Sequence, residues 1–308
     1  MSNDSISELQ EKLKQNPNDI HLIEEYAIAL SDIGENQEAL KNFIYLKKVS
    51  PDNPQVYYNI GIILEKLGKM NEAVLSYEKA LSIAPSDTDI MYNLANVYIK
   101  LERYDEAEAL LLKVIDIDKN DENCFFHLGE IYTRKKNFEN SIVYLKKALD
   151  IKPDDIVAKF YIAYAYKQVG NSSLAIKYYE DVISQNQDYS WAYYNLASIY
   201  LEQNKDEQAI LFLEKTIKTN PSDIKAIKML VKLLYKHKKF VAAEKILRQA
   251  IHDMPEEADV YYFLAKVYQE LKNRINYVKY LKLTLNKQLT FSGDVNSLEE
   301  EIKEAEKK

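Results

Sequence analysis

The sequence predicts an all-α solenoid, a series of short helix–turn–helix units stacked on one another. Three observations predict it. Pro17, Pro51, Pro85, Pro153, Pro221 and Pro255 are separated by multiples of 34 residues, so six of the seven prolines in the 308-residue chain share one phase. Within each 34-residue step, apolar side chains recur three and four residues apart, the period of an amphipathic helix. Gly is scarce, with 6 residues against 25 Tyr, which argues against a sheet protein rich in tight turns.

Taken in order, the first element is a helix over 5–15, with Ile6, Leu9 and Leu13 on one stripe and no partner helix before it. Full units follow without insertion at 20–53, 54–87, 88–121, 122–155, 156–189, 190–223, 224–257 and 258–291, numbered so that the phased proline is position 32. Positions 4, 7, 8 and 11 define helix A, and positions 20, 24, 27 and 28 define helix B. Position 7 holds Tyr26, Ile60, Leu94, Leu128, Ile162, Leu196, Leu230 and Leu264, while position 24 holds Phe43, Tyr77, Leu111, Leu145, Tyr179, Leu213, Leu247 and Leu281. Position 8 is Ala or Gly except at Val231 in the seventh unit, and position 20 is Ala or Ser except at Tyr277 in the eighth. Small residues at 8 and 20 let the paired helices approach, and the larger ones fill the space around them. Gly34, Gly68 and Gly170, at position 15, suit the turn from A to B. The proline at 32, followed by Asp, Asn, Ser or Glu, ends helix B and starts the next helix A. The chain closes on a helix over 294–307, with Val295, Leu298 and Ile302 inward and Glu299, Glu300, Glu301, Lys303, Glu304 and Lys307 outward. A solenoid needs such polar caps, because each unit buries its apolar face only against its neighbours. The reading is one domain over 1–308.

These columns resemble the tetratricopeptide repeat (TPR) family, whose pattern has a large residue at 4, Leu at 7, Gly or Ala at 8, Tyr at 11, Ala at 20, Phe or Tyr at 24, Ala at 27 and Pro at 32. Tyr98, Tyr132, Tyr166, Tyr200 and Tyr268 stand at position 11. Val231, Arg274 and Tyr277 depart from the pattern. The resemblance implies a right-handed superhelix whose concave groove is lined by positions 2, 5, 6, 9, 12 and 13 of helix A. It implies a peptide groove formed by Tyr58, Asn59, Tyr92, Asn93, Asn96, Phe126, His127, Phe160, Tyr164, Trp191, Tyr194 and Asn195. Aromatic faces give contact area at low entropy cost, and Asn amides can donate to and accept from an extended backbone. The same residue types also serve packing in the family. The two-carboxylate clamp of some family members, built from Lys at 5 with Asn at 9, then Asn at 6, then Lys at 2 with Arg at 6, is absent. Lys228 is followed by Lys232 at position 9 and by Phe263 at the next position 6.

Charge is divided unevenly. The chain carries a net −7, yet residues 224–291 hold 14 basic against 6 acidic side chains, and residues 1–223 hold 24 against 36. Lys225, Lys228, Lys232 and Lys236 lie on one stripe of one helix A, and Lys266 follows at position 9 of the next unit. Like charges four apart destabilise a helix by a few tenths of a kcal/mol per pair. Their retention on one stripe points to an anionic ligand, foremost an acidic peptide segment. Screening by the acidic C-terminal helix is the competing reading.

Catalytic and metal chemistry are not indicated. One Cys, Cys124, excludes an internal disulfide and any multi-cysteine zinc site. Cys124, His127 and Glu130 share one helix, but no orienting third group or oxyanion site accompanies them. Phosphate-binding glycine loops and hydrolase motifs are missing. No cofactor is expected. The polar stretch Met1–Pro17 lacks a secretory pattern and no apolar run reaches membrane-spanning length, so a cytoplasmic location is expected.

The expected function is a non-catalytic scaffold or adaptor that binds protein or peptide segments, with its basic C-terminal units favouring acidic partners. Head-to-tail self-association, acidic early units against basic late ones, is a further expectation. Two other classes stand beside it. One is the recognition arm of a sugar-transferring enzyme system, against which the Asn ladder is interrupted at Tyr161, Met229 and Phe263. The other is an RNA-binding helical array, against which the acidic early units argue.

Overall fold

The computed structural model describes residues 3–307, with side chains from Ile6 onward. Among the described residues there is no strand. A lone helix α1 (Asn3–Gln15) precedes the pairs α2 (Ile20–Asp32) with α3 (Asn36–Val49), α4 (Pro54–Lys66) with α5 (Met70–Ile83), α6 (Thr88–Lys100) with α7 (Tyr104–Ile117) and α8 (Glu122–Arg134) with α9 (Phe138–Ile151). Then come α10 (Ile156–Gln168) with α11 (Ser172–Gln185), α12 (Ser190–Glu202) with α13 (Asp206–Thr219), α14 (Ile224–Lys236) with α15 (Phe240–Asp253) and α16 (Ala258–Glu270) with α17 (Arg274–Asn286). A 3-10 turn (Gln288–Thr290) leads to the last helix, α18 (Val295–Lys307). The chain divides into two compact units, Met1–Asp154 and Asp155–Lys308. In each, the two helices of a pair pack together and the second helix packs against the first of the next pair.

Local chemistry sets the helix ends. Asp19, Asn53, Asp87, Asp121, Asp155 and Asp223 cap the N-termini of their A helices through side-chain oxygens. At α16 the preceding residue, Glu257, makes no side-chain cap. There Thr290 Oγ1 accepts from the Ala258 N–H at 2.9 Å instead, so the 3-10 turn supplies the cap from 32 residues downstream. The turn from A to B is left-handed at the same position throughout. φ is between 74° and 87° at Gly34, Gly68 and Gly170, and between 55° and 59° at Glu102, Lys136, Asn204, Lys238 and Lys272. Five side chains therefore adopt a conformation that glycine takes without cost, each at roughly 1 kcal/mol. The turn is held because the following N–H reaches back to the helix, as Asn137 N does to the Tyr132 carbonyl at 2.8 Å.

The first unit has one continuous core running from Ile23 to Ile131. The closest helix crossings are at glycines. A Cβ on Gly61 would stand 2.6 Å from the Tyr77 ring, and one on Gly129 would stand 2.3 Å from Leu145 Cγ. Position 8 is thus small because the position-24 side chain lies directly on it. The core of the second unit runs from Ala197 to Ala305 and takes in Val231 together with Ala243 and Leu247. The first unit is closed by α1, whose Ile6 and Leu9 cover Ala29 while Gln10 Nε2 donates to the Tyr26 hydroxyl at 2.8 Å. The second is closed by α18, where Leu298, Ile302 and Ala305 are buried.

The two residues of the last pair that depart from the family pattern are receptors for this cap. Tyr277 donates its hydroxyl to Glu301 at 2.5 Å. Arg274 donates to the carbonyls of Ala305 and Glu306 at 3.0 and 2.7 Å. Those carbonyls belong to the last turn of α18, where no intrahelical donor reaches them and where a cation suits the helix dipole.

Two equivalent buried tyrosines differ in hydrogen bonding. The Tyr77 hydroxyl donates to Glu65 at 2.7 Å, whereas the Tyr179 hydroxyl is buried with no hydrogen-bond partner among the described residues. Tyr179→Phe is therefore expected to raise stability by up to about 1 kcal/mol, and Tyr77→Phe to lower it by about 1 kcal/mol. Urea unfolding of the two variants reads both signs.

Candidate peptide-binding faces on the A helices

In the first unit, the aromatic and amide residues singled out from sequence stand on α4, α6 and α8 and are cross-linked in series. Asn93 Nδ2 donates to the Tyr58 hydroxyl at 3.0 Å and to the Asp89 carbonyl at 2.8 Å. One pair further on, His127 Nε2 meets the Tyr92 hydroxyl at 3.1 Å, and His127 Nδ1 faces Glu130 at 3.4 Å. Both links join residues 35 apart, so position 6 of one pair braces position 5 of the pair before it. Burial, with Asp89 and Asp87 nearby, pushes the Tyr58 phenol above its ordinary range. The Glu130 carboxyl is held below its ordinary range chiefly by the hydrogen bond from His127. The Phe126 ring lies edge-on to His127 at 5.4 Å.

Two amide atoms on this face have no partner among the described residues, Asn59 Nδ2 and Asn96 Oδ1, and both are buried. Asn59 borders a cleft of about 130 Å³ that also takes in Ser31, Asp32 and Lys66. Lys66 Nζ donates to Ser31 Oγ at 2.8 Å across it.

In the second unit, the Phe160 ring packs among Tyr161, Tyr179 and Tyr189, at 6.1, 5.6 and 5.2 Å. Phe160 is a packing residue here, and Tyr164 is half-buried on the same helix. Trp191 is 56% exposed and stands edge-on to Tyr194 at 6.4 Å. Asn195 is buried and saturated, donating to the Trp191 carbonyl at 2.9 Å and accepting from Lys167 at 3.4 Å. Burial lowers the Lys167 pKa despite the nearby Glu202.

The lysine stripe lies on α14 and α16, and its members are not alike. Lys228 is paired with Asp259, Lys236 with Asp206 at 2.5 Å and Lys266 with Glu301 at 2.5 Å. Asp259 is only 3% exposed. Burial opposes its charge, but hydrogen bonds from Lys228 and from the Ser292 N–H outweigh it and hold the carboxyl below its ordinary range. Screening by the C-terminal helix reaches Lys266 alone, and the other two counter-ions come from neighbouring pairs. Sequence reasoning did not single out Asp206 or Asp259. The available signal was a carboxylate 30 or 31 residues from each lysine, about one repeat away. Lys225 and Lys232 are exposed, and among the described residues neither has an ion-pair partner. Lys232 borders a cleft of about 390 Å³ walled by Val231, Tyr235, Phe263, Lys266 and Gln269.

Among the described residues no group of three His, Cys, Asp or Glu could hold a metal ion. Cys124 is fully buried, and burial pushes its thiol pKa well up, which leaves it a packing residue. Among the described residues no helix is long and apolar enough to cross a membrane.

Paired helices with this 34-residue register define a class, and sequence comparison agrees. Profiles of the tetratricopeptide repeat match residues 27–88, 64–124, 123–155 and 168–234, together more than half of the chain. The chain belongs to the tetratricopeptide repeat family. Among solved structures it is similar to YrrB, described as a TPR protein with an unusual peptide-binding site, at 23% identity and a TM-score of 0.54 over 61% of this chain and 96% of that one. It is also similar to MamA (residues 41 to the end) from Desulfovibrio magneticus RS-1, at 22% identity and a TM-score of 0.53 over 56% and 97%. A tetratricopeptide repeat protein from Parabacteroides merdae ATCC 43184 aligns over 93% of this chain and 98% of its own, at 17% identity and a TM-score of 0.59. These likenesses are of fold. No curated protein matches the sequence.

Proposed function

We propose that the protein is a non-catalytic scaffold that holds polypeptide segments on its A-helix faces, and that acidic segments dock on the second unit. The observation that carries the reading is the state of two lysines. Lys225 and Lys232 are exposed and lack an ion-pair partner among the described residues, while the other three cations of the stripe are paired. Beside Lys232 lies the apolar cleft walled by Val231, Tyr235 and Phe263. Trp191, one repeat earlier at the position equivalent to Lys225, adds an exposed ring. Two unpaired cations with an apolar slot fit a segment whose carboxylates flank an apolar side chain. On the first unit, the half-buried rings of Tyr58, Tyr92 and Phe126 offer contact area to an extended segment. Membership of a family of stacked repeats, and the peptide-binding site named for YrrB, support the scaffold role.

The test uses a fluorescein-labelled peptide of alternating Glu and Leu, followed by anisotropy and by emission of the single Trp. Lys225→Glu/Lys232→Glu is expected to weaken binding about tenfold or more at low salt and to flatten its salt dependence. Both substitutions are on exposed positions, so folding should be retained. Equal affinity of the two proteins at low salt overturns the acidic-segment reading.

A further inference from the structure

A second cleft, of about 650 Å³, opens on the opposite helix type of the second unit, between the B helices α13 and α15. Its floor is Ile217, Pro221, Ile227 and Ile246, and its rim carries Lys218 and Lys245. The pairs on either side fill the corresponding positions with rings.

In α12/α13, the rings of Tyr193 and Phe212 lie 6.4 Å apart, Phe212 stacks on Tyr200 at 5.4 Å, and Lys215 Nζ sits 5.6 and 5.2 Å from the first two rings. In α16/α17, Tyr261, Tyr280 and Tyr268 repeat the arrangement, with successive centroid distances of 6.4 and 5.5 Å. There Lys287 covers Tyr261 at 5.6 Å and Lys279 covers Tyr280 at 5.5 Å. In α14/α15, between them, the three equivalent residues are Ile227, Ile246 and Leu234. The ring stack is missing, and the cleft stands where it would be.

The cations remain. Lys245 is the repeat equivalent of Lys279, the lysine over Tyr280, yet it has no ring beneath it. Lys218 and Lys245 are exposed, and among the described residues neither is in an ion pair. The nearby Asp253 carboxylate is already engaged by Gln249 and His252, each at 3.1 Å. An apolar slot with the Lys245 ammonium at its rim and no ring beneath it is complementary to an aromatic ring, whose faces carry negative potential.

We infer that this cleft is a docking site for an aromatic side chain presented by a partner polypeptide, which completes from outside the stack that the two flanking pairs complete from within. The rim residue Glu214 offers an acceptor to a phenolic hydroxyl, which favours tyrosine. The site lies on the B helices, so it stands or falls separately from acidic-segment binding on the A helices.

The test is methyl NMR on full-length protein labelled at the Ile δ1 positions, titrated with N-acetyltyrosinamide and, in parallel, with N-acetylleucinamide. The tyrosine probe is expected to shift the methyls of Ile217, Ile227 and Ile246 saturably, with the leucine probe about fivefold weaker. Ile227→Tyr restores the internal ring and should abolish the shifts of Ile217 and Ile246. Lys245→Ala, on an exposed position that leaves the core intact, should weaken the tyrosine probe about fivefold. Equal response to the two probes, shifts confined to other isoleucines, or unchanged binding by Lys245→Ala overturns the inference.

Discussion

Glu301→Ala is expected to destabilise the second unit by about 2–4 kcal/mol. The carboxylate accepts from Lys266 Nζ at 2.5 Å, from the Tyr277 hydroxyl at 2.5 Å and from the Tyr262 hydroxyl at 3.4 Å. These three groups come from α16 and α17, and Glu301 is the point at which α18 is tied to both. Removing it leaves a half-buried ammonium without a counter-ion. Burial opposes the charge on Lys266, and the Glu301 carboxylate overrides it, so that the ammonium pKa stands above its ordinary value. Removal also leaves the Tyr277 phenol without its acceptor, and stranding a buried donor costs more than the net worth of the bond. The loss stays below that of a fully buried pair because Lys266 keeps 30% of its side chain in solvent. Trp191, the only Trp, lies in this unit, so its emission during urea unfolding reports on it. Glu304→Ala, on the exposed face of the same helix, should stay within about 0.5 kcal/mol of wild type. Equal losses in the two variants would show that Glu301 acts only through the charge of the cap.

Gly129→Val is expected to cost about 3 kcal/mol or more, and Gly129→Ala about 1–3 kcal/mol. The added Cβ would meet Leu145 Cγ at 2.3 Å and Cδ2 at 2.7 Å, and Leu145 is fully buried with no space to retreat. The pair α8/α9 is also drawn together by the hydrogen bond between Thr133 and Ser141, at 2.7 Å, so separating the helices strains that contact as well. Other pairs carry Ala against Leu at these positions, as Ala95 and Leu111 do. Combining Gly129→Ala with Leu145→Ala should cost less than the sum of the two single losses, because each removes the other's conflict. Additive losses in a thermal or denaturant series would place the cost outside the contact with Leu145.

The helix pairs were legible in the sequence because two short-range rules suffice for them. Prolines in one phase follow six of the helices, and an apolar spacing of three and four fixes which face is inward. Asp and Asn ahead of the A helices cap them locally. The turn position was read only where it held Gly34, Gly68 or Gly170. At Glu102, Lys136, Asn204, Lys238 and Lys272 the same left-handed backbone is imposed by the closing hydrogen bonds, and composition carries no trace of it. Arg274 and Tyr277 looked like departures from a pattern until α18 was seen to rest on them.

The candidate site was legible as a set of positions and not as a set of states. Which residues share the A-helix face follows from register within one helix. Whether Lys228 is a free cation or half of a buried pair depends on Asp259, 31 residues away on the next pair, and spacing within a helix says nothing about it. Asn93 and Asn195 occupy the same repeat position, yet one braces a tyrosine of the preceding pair and the other is folded onto its own helix and a lysine. The sequence by itself determined the class of fold, the repeat length and the inward faces, because these rest on local backbone preference and on the period of burial. Only the tertiary structure decided which charges are spent internally, which amides are left unsatisfied and where a ring is missing from a stack. Those outcomes depend on contacts one repeat apart, where a single side chain more or less changes the balance of charge and volume.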